Sequence, residues 1–134
     1  MTDYPEPVTG GLIRNQDGEI FLMQSPKWED RWVVPGGHIE PGEDPKTCLK
    51  REIQEETGIT VENIQLFTVM TGQPNSFERD TGFVYINYLC DAATTEVQLD
   101  QREAEDFQWI TPQQALDLRL NHSTRRFIQQ YRER

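Results

Sequence analysis

GGHIEPGEDPKTCLKREIQEETGI, residues 36–59, packs a glycine turn, a helix start and five glutamates into one short run. It reads as a loop followed by a helix. Asp44 is a strong N-cap residue, Pro45 suits the first helical position, and Gly58 stands where a left-handed C-terminal cap belongs, so the spacing predicts a helix over 45–57. On that helix Glu52 lies beside Glu55 and Glu56, while Leu49 and Ile53 define a second face that packs. Like charges at this spacing destabilise a bare helix by about 0.2–0.5 kcal/mol per pair, a local cost unless a cation occupies the cluster. Hard oxygen ligands without histidine or thiolate select Mg²⁺, Mn²⁺ or Ca²⁺ over zinc. Three glutamates on a helix are ordinarily a solvated face; the residues around them decide otherwise here.

Those residues run Gly, five residues, Glu, seven residues, then Arg-Glu-aliphatic-x-Glu-Glu-x-Gly-aliphatic. Gly37, Glu43, Arg51, Glu52, Ile53, Glu55, Glu56, Gly58 and Ile59 fill every specified position. With each fixed residue type near average usage, a chance match at one start point is on the order of 10⁻⁹ or rarer. The run resembles the signature of the Nudix hydrolases. That resemblance implies an α/β fold, an α/β/α sandwich with a mixed sheet. It also implies that the Gly37 carbonyl and the carboxylates of Glu52, Glu55 and Glu56 hold one or more Mg²⁺ ions, or Mn²⁺, against a pyrophosphate. Arg51 and Glu43 would pair to fix the loop on the helix, a structural role shared by Gly58. In relatives the general base is Glu52 or a glutamate from a later loop, and both assignments stay open.

The chain of 134 residues shows no composition shift and is expected to form a single domain, 1–134. Its first residues, MTDYPEPVT, lack a basic segment followed by an apolar run, and no stretch approaches a membrane span of about 18 apolar residues, so a cytoplasmic protein without membrane contact is expected. Cys48 and Cys90 have no CxxC or histidine neighbours and read as reduced core residues. A net charge of −10 argues against a nucleic-acid polymer as partner, which needs a basic stripe. A small nucleotide can arrive with its metal, which reverses the local field. Oligomeric state is not readable; a homodimer, common among relatives and the commonest assembly of soluble proteins, is compatible with the sequence.

Outward from the motif, residues 8–14 and 19–24 read as a hairpin with an Asp17-Gly18 turn, and Ile20, Leu22 and Gln24 alternate with Phe21 and Met23 so that both faces of the second arm are covered. Residues 25–32, SPKWEDRW, form a loop before a short strand at 32–34. Trp32 packs, and Trp28, with Arg31, is a candidate to meet a base or sugar. Residues 60–72 read as a strand, followed by a polar loop bearing Phe77 and Arg79. Residues 83–90 read as a central strand that brings Tyr85 or Asn87 to a pocket floor. The acidic run 100–106 precedes a strand at 107–110. Relatives often supply a further metal ligand or base from such a loop; Glu103 is the choice, with Glu105 next. A helix starts at Pro112 and runs to about 118, and a closing helix over 121–131 has Phe127, Ile128 and Tyr131 as its apolar stripe. LNHSTRRFI, with Arg125 as a candidate substrate contact and His122 as a surface or capping residue, resembles a stretch in some nucleoside-triphosphate-cleaving members.

The expected activity is therefore Mg²⁺-dependent hydrolysis of a nucleoside diphosphate linked to another group, first a nucleoside triphosphate giving a mononucleotide and pyrophosphate. The catalytic set is Glu52, Glu55, Glu56 and Glu103, all metal ligands together with Gly37; Trp28, Arg31, Phe77, Tyr85 and Arg125 would touch substrate. Nucleotide sugars or ADP-ribose are the alternative substrates. A non-catalytic nucleotide sensor would be expected to tolerate losses from the acidic cluster, and none is lost.

Overall fold

A mixed sheet with one long helix on each face carries the chain, and the way its strands part company creates the site. The computed structural model describes residues 4–72 and 82–134. The strands are β1 (Glu6–Arg14), β2 (Ile20–Ser25), β3 (Arg31–Val33), β4 (Val61–Thr71), β5 (Phe83–Ala92) and β6 (Asp106–Ile110); the helices are α1 (Pro45–Thr57), α2 (Pro112–Ala115) and α3 (His122–Glu133), with a 3₁₀ turn at Pro26–Trp28. The order across the sheet is β3-β2-β1-β5-β4, with β6 also on β2. β1 and β5 are parallel and the other pairs antiparallel.

The expected hairpin forms through Asn15, whose side-chain oxygen accepts the Asp17 and Glu19 N–H groups at 3.0 and 2.9 Å while Gly18 takes φ 78°. β1 and β2 then pair only at Arg14 and Ile20. Beyond that point residues 35–38 fill the wedge: Gly11 N–H donates to the Pro35 carbonyl at 2.9 Å, and Thr9 N–H to the Gly37 carbonyl at 2.8 Å. The glycine loop is thus stitched to the strand in the middle of the sheet.

Alternation along β2 divides the core. Ile20 and Leu22 pack with Phe127, Ile128 and Tyr131 of α3, whereas Phe21 and Met23 pack with Leu49 and Ile53 of α1. α1 can approach closely because Gly11 presents no side chain. A Cβ there would lie 3.0 Å from both Leu49 Cδ1 and Ile53 Cδ1. β5 lies between β1 and β4, as expected of a central strand. Both cysteines are free and buried.

The second helix is shorter than its start signal predicted. After Ala115 the bonds tighten to i−3, with Leu116 N–H on Gln113 O and Leu118 N–H on Ala115 O, and the chain then leaves the helix to pair with Trp32: Trp32 N–H meets Arg119 O at 2.9 Å and Asn121 N–H meets Trp32 O at 3.1 Å. Burial of Leu120 beside Trp32 outweighs local helix preference. Among the described residues, no helix is long and apolar enough to cross a membrane.

Candidate active site

Local chemistry holds the glutamate helix in place. Asp44 accepts from Lys46 N–H and Thr47 N–H at 3.1 and 3.3 Å, and Gly58 closes the helix in the left-handed conformation with φ 74°. Arg51 grips Glu43 with two short bonds, Nε to Oε2 at 2.8 Å and Nη2 to Oε1 at 2.9 Å, and also reaches the His38 carbonyl at 3.3 Å. This fork holds the Glu43 carboxyl down at about 2 and raises the Arg51 guanidinium still further. The pair ties the loop to the helix, as the family resemblance implied.

The loop meets the glutamates through backbone. Gly36 N–H donates to Glu56 Oε1 at 3.0 Å, and the Gly37 Cα lies so close to the Glu52 carboxylate that a Cβ there would overlap it. A Cβ on Gly36 would likewise fall on the Thr9 carbonyl. The Gly37 carbonyl faces β1. It accepts from Thr9 N–H at 2.8 Å and from the Thr9 hydroxyl at 3.3 Å.

Glu56 is the most deeply placed of the carboxylates, at 6 % exposure. Burial pushes its carboxyl well above the ordinary range; the Gly36 N–H offsets this in part, and the neighbouring charges of Glu52 and Glu103 add to it. Burial also raises Glu52, against the opposing pull of Arg51. Glu55 is exposed and meets Arg51 Nη1 at 3.4 Å. Glu103 reaches the same neighbourhood from the loop before β6 and is held by Lys27 Nζ at 2.8 and 2.9 Å. Glu52, Glu56, Glu103 and Lys27 line one cavity of about 260 Å³, whereas Glu55 stands outside it.

The donor chemistry suits a hard divalent cation. Three carboxylates share one cavity wall, and for Glu56 the hydrogen bond from Gly36 is the sole one among the described residues. A cation would relieve the charge repulsion that burial concentrates there. As they stand, no three carboxyl, imidazole or thiol groups among the described residues converge on one point. Arg51 Nη1 sits 3.0 Å from Glu52, and Lys27 occupies both oxygens of Glu103, so ion binding requires those pairs to loosen.

Of the expected substrate contacts, Trp28 and Tyr85 line the cavity, joined through Phe83 with ring centroids 5.9 Å apart on either side. Arg31 and Arg125 do not. Arg31 lies beside Glu29 at 3.2 Å, and Arg125 donates to the Leu116 and Leu118 carbonyls at 2.9 and 3.0 Å, bracing the turn before α3. Phe77 and Arg79 fall outside the described residues. Glu105 does not line the cavity, nor does His122; from LNHSTRRFI it is Asn121, Ser123, Thr124 and Phe127 that do. Sequence reasoning passed over Lys27, whose role rests on a partner 76 residues away. Its signal was a cation directly before Trp28 in the loop that leads to β3.

A sandwiched mixed sheet, a glycine loop pinned to its central strand and a carboxylate helix beneath a nucleotide-sized cavity define a Nudix-type hydrolase fold. The family model for the NUDIX domain matches residues 5–131, and the chain belongs to that family. It is 30% identical over 128 residues to the nucleoside triphosphatase NudI of Escherichia fergusonii, covering 87% of this chain and 89% of that protein. It is also 31% identical over 122 residues to the NAD-capped RNA hydrolase NUDT12 of Macaca fascicularis, where the match covers 87% of this chain but spans only 25% of that protein's length. Among solved structures, the MutT NUDIX hydrolase of Burkholderia pseudomallei is similar with a TM-score of 0.77 and 25% identity, over 96% of this chain and 98% of that one. The NUDIX domain of Shewanella oneidensis NrtR, complexed with ADP ribose, has a TM-score of 0.83 at 18% identity, over 98% and 89%.

Proposed function

We propose that this chain is a Mg²⁺-dependent nucleoside triphosphate pyrophosphohydrolase that releases a mononucleotide and pyrophosphate, acting in the cytoplasm as a single domain. The observation that carries the reading is the buried Glu56, hydrogen-bonded by Gly36 and sharing a cavity wall with Glu52 and Glu103. A carboxylate held at that depth without a cationic side chain bonded to it is costly, and the cost is explained if a divalent cation belongs there. Glu52, Glu56 and Glu103 would hold it, with Glu55 joining from the exposed side of α1. When bound, the cation supplies charge neutralisation at the phosphoanhydride and lowers the pKa of water.

The chain's own residues do the rest. Gly36 and Gly37 keep bulk away from Glu52 and Glu56 and fix the Glu56 oxygen. Arg51 holds the helix and loop in register, and would have to release Glu52 and Glu55 for them to hold a cation. A glutamate accepts the proton of the attacking water; Glu52 and Glu103 both have the reach to the cavity for this role. Trp28, Phe83 and Tyr85 offer ring faces to a base or sugar. Near full-length similarity to a nucleoside triphosphatase supports the triphosphate reading. ADP-ribose is the second reading, favoured by its presence in a similarly folded domain.

Incubation with nucleoside triphosphates, ADP-ribose and nucleotide sugars plus Mg²⁺, with product analysis, tests the proposal. Mononucleotide and pyrophosphate from a triphosphate are expected, and Glu56→Gln should abolish them. Turnover of Glu56→Gln within a few-fold of the parent, or product from none of the panel, overturns it.

A further inference from the structure

β5 contributes a row of three alternate residues, Phe83, Tyr85 and Asn87, to the cavity wall. At about 3.3 Å per residue the row spans on the order of 13 Å, the length of a nucleoside. Its chemistry changes along the way. Phe83 and Tyr85 are aromatic and half-buried, with Phe83 beside Trp28 and His38, whereas Asn87 is a carboxamide at 2 % exposure. Apolar Val34 and Phe127 also line the cavity.

Asn87 is a deep polar group with spare hydrogen-bonding capacity. Among the described residues its side chain makes one hydrogen bond, Nδ2 to Thr68 Oγ1, and at 3.4 Å that bond is long. A carboxamide has two donor and two acceptor positions, so this one has capacity left to turn toward the cavity it lines. The neighbouring strand is shaped to allow it. Gly10 is the register partner of Asn87, and a Cβ on Gly10 would lie 2.7 Å from Asn87 Oδ1, so the carboxamide rests on the bare backbone of β1. Glycine inside a central strand weakens it and often marks a close approach. Gly11 serves α1; Gly10 serves Asn87.

We propose that the Asn87 carboxamide, seated over Gly10, is the base-reading contact of the site, pairing with adjacent donor and acceptor groups on the edge of a nucleobase whose faces meet the aromatic wall. This rests on the reading of the site as one for nucleotides and adds which end takes the base. A planar base with apolar faces and one polar edge matches an aromatic row that ends in a buried carboxamide; Asn121, the second buried carboxamide of the lining, enters from the start of α3 and not from that row. A hexose, polar around its whole rim, does not.

Equilibrium binding of GMP, AMP, CMP and UMP to the full chain, without metal, tests this separately from hydrolysis. The parent should prefer one base by about 10–100-fold. Asn87→Asp, which keeps the shape and replaces donor with acceptor, should change which base is preferred. Asn87→Leu should weaken the favoured mononucleotide towards the level of the others. Gly10→Ala should reduce discrimination with Asn87 intact, and circular dichroism of each variant reports folding. Equal affinity of the parent for all four, or a common loss across all four in Asn87→Asp, overturns the proposal. Base-selective binding without hydrolysis of any triphosphate would instead refute the pyrophosphohydrolase reading and leave this one standing.

Discussion

Gly11 and Leu49 make a coupled pair whose energetics follow from the structure. Leu49→Ala removes three carbons from a side chain with no exposure. At about 0.8 kcal/mol per buried methylene-sized group the transfer loss is about 2.4 kcal/mol. A residual cavity on the order of 60 Å³, at about 24 cal/mol per Å³, adds about 1.5 kcal/mol. The expected loss is therefore about 4 kcal/mol, a large share of a total stability of about 5–15 kcal/mol. Gly11→Ala acts from the other side. Its new methyl would sit 3.0 Å from Leu49 Cδ1 and 3.5 Å from Cδ2, as well as 3.0 Å from Ile53 Cδ1, and should cost about 1–3 kcal/mol by overpacking. In the double variant the alanine methyl enters the space that Leu49 vacated, relieving the Leu49 contacts though not that of Ile53. The two losses should then fall short of additive by about 1 kcal/mol or more. Urea unfolding of the parent, both single variants and the double variant measures this. Additivity within about 0.5 kcal/mol would refute the claim that Gly11 exists to let α1 dock.

Three further outcomes follow from the site. Arg51→Lys keeps a charge but loses the fork on Glu43, and should lower metal affinity or kcat/KM by about 10–100-fold; steady-state kinetics across Mg²⁺ concentration would show it. Gly37→Ala places a methyl on the Glu52 carboxylate, so activity should fall sharply while the melting temperature of the metal-free protein changes little. In the folded metal-free protein the Glu56 carboxyl is raised above its ordinary 4.5, so the stability it contributes is complete below pH 4.5 and is lost as pH rises through its folded value. Thermal melts of the parent should therefore decline relative to Glu56→Gln above pH 4.5, and parallel profiles would contradict this.

What was legible in the sequence was local. Asp44, Pro45 and Gly58 set the ends of α1 by cap chemistry within a few residues, and spacing along the helix put Leu49 and Ile53 on its packed face. The Glu43–Arg51 pair and the cavity position of Glu103 followed from the Nudix resemblance. The rest depends on distant strands. The parallel pairing of β1 with β5, from Glu6 with Phe83 to Arg14 with Asp91, leaves no mark that a local pattern can carry. That pairing makes Gly10 and Asn87 neighbours, while the wedge of residues 35–38 turns the Gly37 carbonyl onto β1. Arg125 stood as a substrate candidate through the LNHSTRRFI resemblance. In three dimensions the carbonyls of the irregular turn after α2 claim it.

Titration calorimetry with Mg²⁺ and Mn²⁺, on the parent and on Glu56→Gln, tests the central claim most directly. Saturable binding to the parent, weakened by about tenfold or more in the variant, is the predicted result. Heats no different from dilution, with or without nucleotide, or binding unchanged by the substitution, would contradict it.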